Sequence, residues 1–353
     1  MYEKELQALR RFGRFRKRRL FDENLKDFAS NDYLGLAHKK ELLTRAYDRV
    51  MAYPANAAKA SQLINGYTPI HKELEEKLCQ LNGFEAAITV GSGFLANCAL
   101  IEALVRKGDR LFLDEEFHAS GMLAARLVED VEIFAHNDPE DLKKRLKKGG
   151  FKRAIVAVEG IYSMSGDLLD PAIFEVAGEY EPLLIVDEAH SSGVVGENLL
   201  GVFDLFGVEP NELHIKMGTL GKAYGSYGAY ILASEEIVSF LENRAKSIIY
   251  TTALSLMDVA LAKAGIEEVE KNLEHYKGEI SKRRQIAASF GHHTPGLILD
   301  IPSQDVLQKQ QELLERGFLV GAIRPPTVKE SILRIIARLG QTSQELRELL
   351  ELI

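Results

Sequence analysis

The feature that most constrains the fold is an alternation of short, continuous apolar runs with amphipathic runs along most of the chain. The apolar runs are strand-sized: Arg110–Leu113, Val131–Ala135, Ala154–Val158, Leu183–Val186, His214–Met217 and Ala229–Ala233. Helical patterns lie before and between them, at His71–Leu81, Phe94–Val105, Asp138–Lys148 and Pro171–Tyr180. Strands apolar on both faces and separated by helices predict a mainly parallel sheet covered on both sides, an α/β fold. From about Ser234 the chain turns more helical, with long helices expected over Ser234–Ile249 and Leu254–Ser289. A small α+β unit follows: strand Leu297–Ile301, helix Ser303–Arg316, strands Phe318–Ile323 and Ile332–Ala337, helix Ser343–Leu352. The division expected is an N-terminal arm over 1–45, a large α/β domain over 46–245 and a small C-terminal domain over 246–353.

Composition removes several classes. With 46% hydrophobic and 27% charged residues the chain is ordinary globular material. The net charge of −8 argues against nucleic acid as a partner. One local exception is Arg10–Arg19, where seven of ten residues are Lys or Arg. It reads either as a solvated helix face or as a site for an acidic ligand or protein. The two cysteines, Cys79 and Cys98, form no CxxC and no zinc spacing, so neither a disulfide framework nor a metal site is expected. No signal region and no run of 18 apolar residues occurs, so neither export nor a membrane span is expected and a reducing, cytoplasmic setting is the default.

Ligands of open α/β sheets bind beyond the carboxyl ends of the strands, so polar residues at strand ends carry the functional reading. Leu183–Val186 ends in Asp187-Glu188-Ala189-His190. A carboxylate at a buried strand tip is costly unless it caps a turn or meets a cation, such as a pyridinium nitrogen. Asp187, Glu188 and His190 lack further donors at metal-ligand spacing. His214–Met217 runs into Gly218-Thr219-Leu220-Gly221-Lys222-Ala223-Tyr224-Gly225. Flanking glycines permit close backbone approach, and a desolvated lysine becomes nucleophilic toward an aldehyde. Thr219 can offer its hydroxyl to a phosphate. Gly91-Ser92-Gly93-Phe94 opens an apolar helix, whose first N–H groups suit an anion. His118, after Arg110–Leu113, is a flat ring at a strand end. Ser163, after Ala154–Val158, faces the same crevice. Together these supply a phosphate cradle, a ring stacker, a pyridine-nitrogen partner and an aldehyde-binding amine, the set required by pyridoxal 5′-phosphate (PLP).

The chain also resembles fold-type I PLP enzymes, and within them the α-oxoamine synthases. The likeness rests on Asn31-Asp32-Tyr33-Leu34-Gly35-Leu36, Ser92-Gly93-Phe94-Leu95-Ala96-Asn97, Phe117-His118-Ala119-Ser120, Glu159-Gly160-Ile161-Tyr162-Ser163-Met164, Asp187-Glu188-Ala189-His190 and Thr219-Leu220-Gly221-Lys222. Ala322-Ile323-Arg324-Pro325-Pro326-Thr327-Val328 resembles the segment of members that condense L-alanine with a pimeloyl thioester, carried on coenzyme A or on an acyl carrier protein. The resemblance implies that Lys222 binds the cofactor covalently and moves the Cα proton. It implies that Asp187 pairs with the pyridine nitrogen and that His118 stacks on the ring. Ser163 and His190 would meet the ring oxygen, and Gly93, Phe94 and Thr219 would also contact the cofactor. Arg334 would grip the alanine carboxylate, and Asn31 would line the amino-acid site. Thr327 and Arg16, with Arg18 and Arg19 as rivals, would meet the acyl substrate. Thr251 and Thr252 resemble a pair that reaches a neighbouring subunit's phosphate, which implies a homodimer with shared sites. The sequence departs from the family pattern at Ala57-Ala58-Lys59-Ala60-Ser61-Gln62, which lacks glycine, and at the short turn Lys329-Glu330-Ser331. A PLP-sensing regulator is the reading from another class, but the first 30 residues are too short for a winged helix.

Overall fold

The computed structural model describes residues 1–353. Twelve strands occur in chain order: β1 (Lys26–Asp27), β2 (Ala86–Val90), β3 (Arg110–Asp114), β4 (Val131–Phe134), β5 (Ala154–Glu159), β6 (Leu183–Asp187), β7 (His214–Thr219), β8 (Ala229–Ala233), β9 (Ile298–Pro302), β10 (Phe318–Leu319), β11 (Gly321–Ile323) and β12 (Ile332–Ile336). Seven of them form the central sheet in the order β2-β8-β7-β6-β5-β3-β4. Only β8 runs against the rest, pairing antiparallel with both β2 and β7. The expected parallel sheet is therefore present, with β2 added at one edge.

Side chains alternate across each strand, so the sheet separates two cores. Phe112, Val156, Leu184 and Val186 join the larger apolar cluster on one face. Leu111, Ile155, Ile185, Met217 and Ile231 join the smaller one on the other, under the helix Gly93–Leu104. The helices start where the sequence offers caps. Ser92 accepts from Leu95 N–H, Asp138 from Glu140 and Asp141 N–H, and Thr342 forms a capping box with Glu345.

The small sheet has β12 in its centre, antiparallel to β11 and β9, and sets Arg334 opposite Gly321 and Asp300. β1 pairs parallel with β10, so the N-terminal segment is fastened to the C-terminal part of the chain.

Three expectations are corrected. The helices expected over Ser234–Ile249 and Leu254–Ser289 each break in two, at Ala245 and Asn272, whose backbones leave the helical region (φ −74, ψ 108 and φ −115, ψ 30). The strand expected over Phe318–Ile323 divides at Val320, because its first half pairs with β1 and its second with β12. The basic stretch is not one helix face. The first helix, Glu3–Arg11, is followed by Gly13 at φ 64, so Arg14–Arg19 lie beyond it.

Candidate active site

Several strand ends and one helix start meet at the carboxyl edge of the central sheet. Glu159 and Asp187 end the neighbouring strands β5 and β6 and stand opposite each other in register. Thr219 ends β7, three residues before Lys222. Val90 ends β2 and leads to the helix beginning at Gly93. A cavity of about 480 Å³ opens among them, lined by Asn31, Ser92, Gly93, Thr219, Lys222 and Ser226 among others.

Lys222 Nζ lies 2.7 Å from His190 Nε2, and His190 Nδ1 lies 2.5 Å from the Tyr33 hydroxyl. A neutral imidazole donates from one nitrogen and accepts at the other, so the three groups form one proton-carrying chain. Burial pushes the His190 pKa well below its ordinary value, with Lys222 and Arg334 adding in the same sense, so the ring is neutral. Burial also lowers the Lys222 pKa to about 8, although Asp187 and Glu159 pull it upward. An amine so placed is deprotonated near neutrality often enough to act as a nucleophile or base. His118 is likewise held below its ordinary pKa by burial. Its Nδ1 sits 2.7 Å from the Ser120 hydroxyl, which fixes the ring plane.

The two carboxyls at the strand tips have different surroundings. Asp187 accepts from Asn97 Nδ2 at 2.8 Å and from Ala189 N–H at 2.9 Å, and no basic side chain pairs with it. Glu159 is pushed well above the ordinary carboxyl range by burial and by the neighbouring Asp187. Glu159 is therefore the member that its surroundings hold protonated. Arg334 is buried, and its hydrogen bonds go to the Ser163 carbonyl (2.7 Å) and to Oδ1 of Asn31 (3.2 Å), a residue of the cavity wall; neither is a carboxylate.

These residues fit PLP. A buried anion without a protein cation is costly, and a protonated pyridine nitrogen would offset that cost at Asp187. The N–H groups of Gly93 and Phe94, at the first turn of their helix, have no intrahelical acceptor and suit a phosphate. The buried Arg334 is suited to the carboxylate of an amino acid.

Most residues singled out from the sequence meet here: Gly93, His118, Ser163, Asp187, His190, Thr219, Lys222, Asn31 and Arg334. Some arrive in unforeseen roles. His190 bridges Tyr33 and Lys222, and the Thr219 hydroxyl donates to the Gly228 carbonyl at 3.0 Å while accepting from Gly221 N–H. The Phe94 side chain is exposed, so only its backbone serves the cradle. Arg16 and Thr327 are exposed and form no side-chain hydrogen bond; the structure does not bring them into the cluster. The arm does touch the small sheet, where Arg324 donates to the Gly13 carbonyl at 2.6 Å. In the glycine-free stretch, Lys59 takes the left-handed backbone (φ 74) that glycine favours, and Gln62 donates to the Thr89 carbonyl at 2.6 Å. Lys329, in the short turn, reaches Glu115 and Glu116 at 3.4 and 3.7 Å.

Three functional residues carry no role in the sequence reading: Tyr33, Asn97 and Glu159. Asn97 was the most detectable, as a polar residue inside the otherwise apolar run Phe94–Val105. It joins Asp187 to Ser120, and so to His118.

Comparison with known proteins agrees with this arrangement. Residues 23–353 match the family described as aminotransferase class I and II. An 8-amino-7-oxononanoate synthase of Helicobacter pylori is 45% identical over 356 residues, covering 99% of this chain and 95% of its own. An 8-amino-7-oxononanoate synthase structure from Francisella tularensis superposes with a TM-score of 0.78 at 25% identity, covering 94% of this chain and 97% of its own. A serine palmitoyltransferase from S. paucimobilis with PLP and myriocin bound gives 0.88 at 24% identity, covering 99% and 95%, a likeness of fold. Fold and site together define a PLP-dependent transferase of fold type I. The chain belongs to the class I and II aminotransferase family and, within it, to the 8-amino-7-oxononanoate synthases.

Proposed function

We propose that the chain is an acyltransferase of biotin biosynthesis. It condenses L-alanine with a pimeloyl thioester, carried on coenzyme A or an acyl carrier protein, giving 8-amino-7-oxononanoate, carbon dioxide and free thiol. The observation that carries this reading is a cavity lined by Lys222, whose pKa is lowered to about 8, and by Asn31, which accepts from the buried Arg334, a guanidinium without a carboxylate. Bound PLP supplies an electron sink for charge developing at the amino acid's Cα.

Each remaining task falls to this chain's own side chains. Arg334, steadied by Asn31, binds the alanine carboxylate and so turns Cα toward Lys222. Lys222 would hold the cofactor through its amine, and with alanine bound the same amine would take the Cα proton and later return it. His190 and Tyr33 form the hydrogen-bonded chain behind that amine. Asp187 would keep the pyridine nitrogen protonated, and Asn97 holds the Asp187 carboxylate in place. His118 would stack on the ring, with Ser163 at its edge. Gly93, Phe94 and Thr219 would contact the cofactor, the two helix N–H groups suiting its phosphate. Arg16 and Thr327 serve the acyl substrate.

The working unit in this reading is a homodimer in which Thr251 and Thr252 reach the partner's site. Ile64 and Tyr250, 79% and 80% exposed, lie close in sequence to the Ser61–Thr252 bridge, apolar surface that a second copy would cover. Residues 1–45, 46–245 and 246–353 serve as arm, cofactor domain and small domain. No helix is long and apolar enough to cross a membrane, and both cysteines are free thiols, in keeping with a cytoplasmic setting.

The test is release of carbon dioxide and free thiol from L-alanine with each pimeloyl donor, beside glycine and L-serine with short and long acyl thioesters. Fastest turnover with alanine and a pimeloyl donor is expected. Faster turnover with another pair would overturn the substrate assignment and leave the cofactor class standing.

A further inference from the structure

One cluster of titratable side chains lies outside the cofactor site yet is tied to it by two loops. Its centre is His136, just after β4. Asp114, at the end of β3, is fully buried, and both its oxygens are saturated with donors. Oδ1 accepts from Glu116 N–H (2.8 Å) and lies 3.0 Å from His136 Nδ1; Oδ2 accepts from Asn137 N–H (2.8 Å) and from the Tyr162 hydroxyl (2.7 Å). On the opposite side of the ring, His136 Nε2 lies 2.9 Å from Asp167 Oδ2. Carboxylates only accept, and neutral imidazole has a single N–H. Both ring nitrogens therefore carry protons, and His136 is an imidazolium. Burial opposes that charge, but the hydrogen bonds that the ring donates to Asp114 and Asp167 raise the pKa to about 10.

The cation joins two strand-end loops that both reach the site. One runs from Asp114 through Glu115, Glu116 and Phe117 to His118. The other runs from Glu159 through Ser163 to Asp167, and its Ser163 carbonyl accepts from Arg334 Nε. Tyr162, on the second loop, packs edge-on against the His136 ring at 4.3 Å and hydrogen-bonds Asp114 on the first.

We infer that His136 is a positioning residue for the reaction: clamped between Asp114 and Asp167, it holds the loop bearing His118 against the loop bearing Ser163, and so sets where His118 stands over the cofactor ring. This rests on the proposed stacking role of His118 and is independent of the acyl donor. The groups facing His136 are Asp114 and Glu116 (3.8 Å) from the first loop and Asp167 and Tyr162 from the second. Lys329 pairs with Glu115 and Glu116 on the same loop.

The test compares His136→Gln and His136→Lys with the parent, all loaded with PLP. His136→Gln is expected to keep the fold and the cofactor but to lose visible circular dichroism of the bound cofactor and about tenfold or more in kcat, as misplacement by about 1 Å does. His136→Lys, whose ammonium can donate to both carboxylates, should recover part of both. In cofactor-free protein the stability lost in His136→Gln should be fully present below about pH 6.5 and vanish as pH rises through about 10, because the folded pKa lies above the unfolded one. Parental dichroism and kcat within about twofold in His136→Gln, well short of the expected misplacement effect, overturn the inference. Should that variant fail to fold, Asp167→Asn carries the same expectation and the same refutation. His118→Ala separates the two readings. Unchanged dichroism there overturns the stacking role and this inference with it. Altered dichroism there beside a parental His136→Gln overturns the inference alone.

Discussion

Single residues decide the chemistry through their local dielectric. Lys222 is held near pKa 8 by desolvation, so its neutral fraction rises up to that pH and then levels off. The rate at which cofactor-free protein captures PLP should climb about tenfold per pH unit below about 8 and flatten above it. A rate still climbing past pH 10 would mean an ordinary lysine. Lys222→Ala should keep loose cofactor binding while turnover falls by about 10²–10⁴-fold, read by thiol release. Asp187→Asn is nearly isosteric and removes a buried acidic group that accepts only from Asn97 and the Ala189 N–H, with no basic side chain paired to it. The cofactor-free protein should melt at the same or a higher temperature, while kcat drops by about 10²-fold or more. Lys222, Asp187, His118 and His190 were legible in the sequence because a polar side chain closing an apolar strand is costly to bury unless a ligand or a partner meets it. Tyr33, Asn97 and Glu159 were not, because their roles depend on which atoms approach them through space.

Elements bring those residues to one edge. The helix Gly93–Leu104 presents its N-terminus to the cavity, and its Ser92 cap accepts from Leu95 N–H at 3.3 Å. Ser92→Ala should cost about 1 kcal/mol in chemical denaturation and weaken PLP affinity in the same preparation. An unchanged affinity would detach the helix start from the phosphate. Gly193 has a similar positional meaning. Its φ is +81, and a Cβ there would fall 2.4 Å from Ala223 Cβ, next to Lys222. The strands β3 to β8 could be read from their apolar runs alone, since a strand buried on both faces has little choice of residue. The edge strand β2 was not picked out as a strand, because Ala86–Val90 opens on two alanines and merges with the glycine turn after it. The helix breaks at Ala245 and Asn272 also escaped, since no proline or glycine marks either position.

The whole molecule adds a connection that no local pattern contains. Arg338, after β12, is almost fully buried and donates to Asp27 at 2.9 Å and to Asp32 at 2.5 Å. It fastens the segment that carries Asn31 and Tyr33 to the small sheet that carries Arg334. Arg338→Ala leaves both carboxylates without their cation and should cost about 3–5 kcal/mol in urea unfolding. Its KM for L-alanine should rise with it, because Asn31 flanks the broken pair and supports Arg334. A stability loss with an unchanged KM would separate the fastening from the site.

By itself, the sequence determined the alternating architecture, the polar residues at the strand ends and the helix that opens at Gly93. Those follow from local rules: which residues tolerate a buried strand, and which can stand at its end. Only the tertiary structure decided that Glu159 is held protonated, how Lys222 joins His190 and Tyr33, and that the buried Arg334 meets Asn31 and the Ser163 carbonyl with no carboxylate. Those depend on desolvation and on distances between segments up to about 300 residues apart in the chain. Pairwise approach of that kind has no signature in the order of residues along the chain.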